Sequence, residues 1–148
     1  MVDPDSIKKI ARQRAVELKL PYAGALLPRE AHALMEAGAK LVDVRTKAEL
    51  EWVGRVPGAL TAEWNTWPGG KPNPDFSAQL EGQVGKEVPV MFLCRSGGRS
   101  HNAAATAAKA GYVEVYNILE GFEGDKDSQG HRNTSGGWRV AGLPWVQG

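Results

Sequence analysis

The sequence predicts an α/β domain with a mainly parallel central sheet and helices on both faces. Three observations carry this. Short apolar runs, among them Leu41-Val42 and Val88-Pro89-Val90-Met91-Phe92-Leu93, alternate along the chain with longer helical patterns. The runs read as strands buried on both sides, which is how parallel sheets are built. Helix punctuation falls between them: Thr46-x-x-Glu49 is a capping box, and Gly38 and Gly111 close helices.

The elements follow in order. Residues 1–20 read as an amphipathic helix, with Asp3-Pro4 as its start signal and Ile7, Ile10, Ala11, Arg14 and Leu18 near one face. It is either a solvated helix packed on the outside of the domain or a docking helix. Ala25 to Leu27 is a short strand, and Pro28 to Ala37 a helix ended by Gly38. Lys40 to Arg45 is a buried strand, and Lys47 to Val53 the short helix opened by the capping box. A turn at Val56-Pro57-Gly58 leads into a short strand near Ala59 to Thr61. A Pro- and Gly-rich loop fills Trp64 to Asp75, and Phe76 to Glu81 is a helix. Val88 to Leu93 is a strand, Ser100 to Ala110 a helix, and Tyr112 to Asn117 the last strand. We divide the chain into a helical extension, 1–22, and an α/β domain, 23–148.

Composition bounds the function. At 148 residues, 42% hydrophobic and 24% charged, the chain suits one globular core. Its formal net charge of +1 gives no basic field for nucleic acid or an acidic membrane. No apolar span or signal-peptide core is present, and a single cysteine makes no internal disulfide. These features point to the reducing cytoplasm. The three histidines, His32, His101 and His131, form no metal-ligand cluster, and no metal or organic cofactor is expected. His101 reads as a surface histidine without a carboxylate partner.

The chemistry sits in Cys94-Arg95-Ser96-Gly97-Gly98-Arg99-Ser100, between the strand ending at Leu93 and the helix that follows. A free thiol ionises near pH 8.5, and its thiolate is the reactive form. Three features favour the thiolate: the helix N-terminus, the Gly97-Gly98 pair that turns backbone amides inward, and the cations Arg95 and Arg99. The same groups bind the anionic end of a substrate. By the parallel-sheet rule the thiol lies at a strand's carboxyl end, where ligands bind. Spacing separates the enzyme classes that use such a loop. Cysteine phosphatases have Cys-x5-Arg, wide enough for phosphate. Here Arg99 follows Cys94 by four intervening residues, and the smaller ring suits a persulfide.

Cys94-Arg95-x-Gly97-x-Arg99 resembles the active-site loop of the rhodanese (thiosulfate sulfurtransferase) family. Leu41-Val42-Asp43-Val44-Arg45, Glu49 and Gly54-Arg55-Val56-Pro57-Gly58-Ala59 resemble its first signature, with Arg55 in place of the usual His. Val115 to Phe122 resembles its last strand and glycine turn, with Glu120 where Gly is common. The resemblance runs from about Leu26 to Trp145 and implies a single rhodanese-like domain. It implies a sulfurtransferase that works through a Cys94 persulfide. The substrate-binding residues are then Arg95, Ser96, Gly97, Gly98 and Arg99, with Asp43, Arg45 and Ser100 in support. Asp43 and Arg45 fit a fold-stabilising ion pair equally well, and Ser100 fits a plain helix cap. Its partners are a small anionic sulfur donor and an acceptor: cyanide, a thiol or a protein cysteine. Oligomeric state is left open. The competing readings are a phosphatase or arsenate reductase of related fold, and a non-catalytic interaction module.

The remaining aromatic residues and the last long loop complete the expectations. Trp52 and Trp145 read as core packing, and Trp64 and Trp67 as walls of the substrate mouth. The loop from Gly124 to Gly137 should hang near Cys94, with Lys126 or Arg132 adding positive charge at the entrance.

Overall fold

A computed structural model describes residues 3–147. Met1, Val2 and Gly148 lie outside the described residues. Helix α1 spans Pro4–Leu18, β1 Gly24–Leu26, α2 Pro28–Glu36, β2 Lys40–Asp43 and α3 Lys47–Trp52. Then follow β3 Leu60–Thr61, α4 Phe76–Glu81, β4 Val90–Leu93, α5 Gly98–Lys109 and β5 Val115–Ile118. The five strands form one sheet in the order β1-β5-β4-β2-β3, and every pairing is parallel.

Local chemistry sets the helix starts. The Asp3 carboxylate accepts from the Ser6 amide, and Pro4 needs no partner in the first turn. Thr46 and Glu49 form the reciprocal capping box of α3. Glu30 accepts from the Leu27 amide at the start of α2 and also pairs with Arg14, which ties α1 to α2.

The period-two alternation of β4 assigns its side chains to two cores. Val90, Phe92 and then Cys94 pack with Val42, Val44, Phe76, Ala103 and Ala107, under α4 and α5. Met91 and Leu93 pack with Ile7, Leu26, Leu34, Tyr116 and Ile118, under α1 and α2. The buried face of α1 is Ile7, Ala11 and Ala15; Ile10 and Leu18 point to solvent. The reason is steric. Small residues let α1 approach β1 so closely that a Cβ on Gly24 would lie 2.7 Å from the Ala11 backbone.

The chain leaving β4 passes through α5 to β5 on one side. The chain leaving β2 passes through α3 to β3 on the other. The carboxyl ends of β2 and β4 therefore border a topological switch point. Helix α5 starts at Gly98, two residues before its expected start, so Arg99 and Ser100 sit in its first turn. Among the described residues no helix is long and apolar enough to cross a membrane.

Ile7 is 1% exposed in the core beneath α1. Ile7→Ala is expected to cost about 2–4 kcal/mol in urea unfolding, from lost burial and the cavity left behind. Unchanged stability would mean that α1 does not contribute to the core.

Candidate active site

Cys94 directly follows the central strand, β4, and is 1% exposed. Its Sγ accepts from the Gly97 amide at 3.1 Å and lies 3.2 Å from Ser100 Oγ. Gly97 is the N-cap of α5 with φ +114°, a conformation that suits glycine, and no side chain caps this helix. The sulfur thus meets the positive end of α5 directly. Ser100 is not the cap. It is buried, and its hydroxyl donates to Asn117 Oδ1 on β5. Asn117 Nδ2 donates to the Gly97 carbonyl at 3.3 Å. Among the described residues no hydrogen bond joins Ser96 to the sulfur.

The two arginines of the loop are not equivalent. Arg95 is exposed and faces a cavity of about 540 Å³, which Arg99, Glu49, Trp52, Trp67 and Glu123 also line. Arg99 is half-buried and makes two hydrogen bonds to Glu49, at 2.7 and 2.9 Å. Burial pushes the Glu49 carboxyl up. The hydrogen bond and charge of Arg99, with the Thr46 hydrogen bonds, outweigh burial and hold it at about 2. The Arg99 guanidinium is raised in turn, first by that hydrogen bond and further by the fields of Cys94 and Asp43. The Glu49 of the sequence capping box therefore has a second role, neutralising Arg99.

Asp43 and Arg45 form a fully buried ion pair: Nε–Oδ1 is 3.0 Å and Nη2–Oδ2 is 2.8 Å. Arg45 also donates to the Gly54 carbonyl at 2.8 Å and stacks 4.3 Å over the Phe122 ring. Its Nη1 is buried without a hydrogen-bond partner. The pair anchors the end of β2 to the chain after β5, and neither residue hydrogen bonds the Cys94 sulfur among the described residues.

The segment after β5 clamps the loop from outside. Phe122 N donates to Cys94 O at 2.8 Å, and Glu123 N to Arg95 O at 3.0 Å. Gly121, at φ +66°, lies so close that a Cβ would be 2.5 Å from Cys94 O. The neighbouring Glu120 also has positive φ, +69°, the reason glycine suits that position; its carboxylate accepts from Gly137 N. The Gly124–Gly137 loop is organised by the Asp127 carboxylate, which accepts from the amides of Gln129 and His131 and from the Thr134 hydroxyl. Arg132 turns to the Gly124 carbonyl, and neither it nor Lys126 lines the cavity.

Several side chains depart from the sequence reading. Trp52 is 68% exposed at the cavity, because α3 lies at the sheet's end rather than over it. Trp67 lines the same cavity at 65% exposure, while Trp64 packs inward on Phe76, with ring centroids 5.1 Å apart. His101 is half-buried rather than at the surface, and its Nδ1 lies 2.7 Å from the Tyr22 hydroxyl, which is not a carboxylate. Asn117 went unread. A carboxamide in an otherwise buried strand needs partners, and that was the signal for it.

The Glu49–Arg99 pair gives a pH dependence. The folded carboxyl titrates at about 2, below its ordinary 4.5, so its stabilisation is full above pH 4.5 and fades as pH falls towards 2. Acid unfolding curves should show wild type losing more stability over that interval than Glu49→Gln. Parallel curves would contradict the pairing.

Known proteins align with this architecture. The family model described as Rhodanese-like domain matches residues 27–128. An uncharacterised protein of Rickettsia conorii is 37% identical over 109 residues, which span 72% of this chain and 82% of that protein. A protein of Arabidopsis thaliana named thiosulfate sulfurtransferase 16, chloroplastic, is 35% identical over 94 residues, 62% of this chain and 78% of that one. The crystal structure of Rv0390 from M. tuberculosis superposes with a TM-score of 0.79 at 43% identity, covering 86% of this chain and 99% of that one. With the cysteine loop at the end of β4 and the family model matching most of the chain, this protein belongs to the rhodanese-like domain family.

Proposed function

We propose that the protein is a sulfurtransferase, moving a sulfane sulfur from thiosulfate or a similar donor to a thiophilic acceptor through a persulfide on Cys94. The observation that carries this is the sulfur's position. It lies at the N-terminus of α5, hydrogen-bonded by the Gly97 amide, in a loop too short for the phosphatase arrangement. The relatives named thiosulfate sulfurtransferases support the same reading.

In the first step the Cys94 thiolate attacks the outer sulfur of thiosulfate. The new S–S bond forms at Cys94, the sulfur–sulfur bond of the donor breaks, and sulfite leaves with the electron pair. Arg95, which is exposed and free of any hydrogen-bonded acid among the described residues, attracts the dianion and steadies the leaving sulfite. Arg99 adds positive field, tempered by Glu49. Ser96, Gly97, Gly98 and the helix N-terminus hold the charged persulfide. In the second step cyanide or a thiolate attacks the outer persulfide sulfur. Thiocyanate or a new persulfide departs, and the Cys94 thiolate returns.

Because Cys94 is buried, a donor reaches it only by passing its terminal sulfur into the loop. The cavity beside Arg95 is larger than cyanide or thiosulfate needs and lies in the range of roughly 300–1,000 Å³ typical of organic ligands, which favours an organic or protein thiol as acceptor. Ser100 and the Asp43–Arg45 pair act in support, holding the loop and the strand end behind it. A lone thiol with this role suits the reducing cytoplasm.

With thiosulfate and cyanide as substrates, steady-state rates should give parallel double-reciprocal lines, and Cys94→Ser should lower turnover by more than about a thousandfold. Hydrolysis of an aryl phosphate with no thiocyanate formed would sink this reading.

A further inference from the structure

Both groups that hydrogen bond the Cys94 sulfur are held by a single side chain on another strand. Asn117 Oδ1 accepts from Ser100 Oγ, and Asn117 Nδ2 donates to Gly97 O. Ser100 Oγ lies 3.2 Å from the sulfur, and Gly97 N 3.1 Å from it. The four residues close a ring: Cys94, Ser100, Asn117, Gly97. Ser100 and Asn117 are buried, so water does not stand in for a missing member.

Donor and acceptor chemistry fixes the direction of this ring. A carbonyl oxygen only accepts, so the Asn117 edge facing Gly97 O is its amide nitrogen. The edge facing Ser100 is then Oδ1, which also only accepts. The Ser100 hydroxyl proton therefore belongs to Asn117. Towards sulfur, Ser100 Oγ has only a lone pair to offer, and the resting cysteine donates its S–H to it. When Cys94 ionises, its proton leaves to water, and the Ser100 hydroxyl must turn from Asn117 Oδ1 to the sulfur to stabilise the new charge. Asn117 Oδ1 is then left buried without a donor.

We propose that Asn117 is a positioning residue that governs when Cys94 becomes a thiolate, by holding the Ser100 proton away from the sulfur while anchoring the Gly97 turn. It restrains ionisation through Ser100, and the Gly97 amide favours it. The charged group whose field couples to the sulfur is Arg99 on α5, which pairs with Glu49 on α3 and which Asp43 at the end of β2 also reaches; Arg95 in the loop lines the cavity with Arg99 and Glu49. Among the described residues none of these hydrogen bonds Asn117, so its contribution is separable from theirs. Tyr22, whose hydroxyl lies 2.7 Å from His101 Nδ1, interacts electrostatically with Asn117.

The inference rests on Cys94 as the reacting group, but its test requires no sulfur transfer. Failure here is therefore distinguishable from failure of the sulfurtransferase reading. The chain has one cysteine, so alkylation by iodoacetamide reports Cys94 alone. The pH dependence of the alkylation rate gives a titration midpoint for wild type, Asn117→Leu and Asn117→Asp. Leu frees the Ser100 hydroxyl for the sulfur and is expected to lower the midpoint by about one pH unit. Asp holds that hydroxyl more strongly and adds negative charge, so it is expected to raise the midpoint by about as much. Asn117→Val, whose branched side chain suits a strand, replaces Leu if circular dichroism finds Leu misfolded. A purely structural role for Asn117 moves both variants the same way or neither. Either result would overturn the proposal.

Discussion

The structure depends on one constraint: four residues separate the end of the central strand from the first turn of α5. Between Leu93 and Gly98 the chain must reverse from extended to helical. Gly97 makes this possible by adopting positive φ, and the turn brings its own amide to the Cys94 sulfur. Strand parity has already turned Cys94 towards α5 rather than α1. The thiol is thus placed beneath a helix N-terminus by backbone geometry alone. Gly121 then fits against the loop's outer side, where any Cβ would collide with Cys94 O, and the amides of Phe122 and Glu123 lock it. The thiol's position is over-determined from both directions.

Charge around the loop is balanced rather than simply positive. Arg99 lies in the first turn of α5 and Glu49 in the first turn of α3, and the switch point between β2 and β4 brings them together. Their pairing leaves a modest net field from that side. Arg95, on the solvent side, is exposed at the cavity and has no hydrogen-bonded acid among the described residues. Deeper in, Arg45 is spent on Asp43, Gly54 and Phe122, a fully buried cluster whose task is to hold the strand end and the last turn together. The three arginines thus occupy different settings: Arg95 exposed at the cavity, Arg99 paired with Glu49, and Arg45 buried in an anchor.

Much of this was legible in the sequence because it is local. The Thr46-x-x-Glu49 capping box and the apolar run of β4 each act within a few residues and form where the spacing puts them, while α5 starts at Gly98 rather than Ser100. The sheet's parallel order followed from alternating strands and helices. What escaped was set by long-range geometry. Glu49 reaches Arg99 fifty residues away, and Asn117 reaches Ser100 from the neighbouring strand. Trp52, apolar and on a helix, looked like core, yet α3 is too short and too far out on the sheet's end to bury it. The α1 stripe shifted because Ala11 and Ala15, not the larger Ile10 and Leu18, permit close approach to Gly24.

Intact mass measurement tests directly whether Cys94 carries a sulfur atom covalently. After incubation with thiosulfate, wild type should gain about 32 Da, one sulfur atom, which cyanide then removes, while Cys94→Ser gains nothing. A reduced protein whose iodoacetamide-reactive Cys94 takes up no sulfur from thiosulfate, or an adduct that persists in the serine variant, would contradict it.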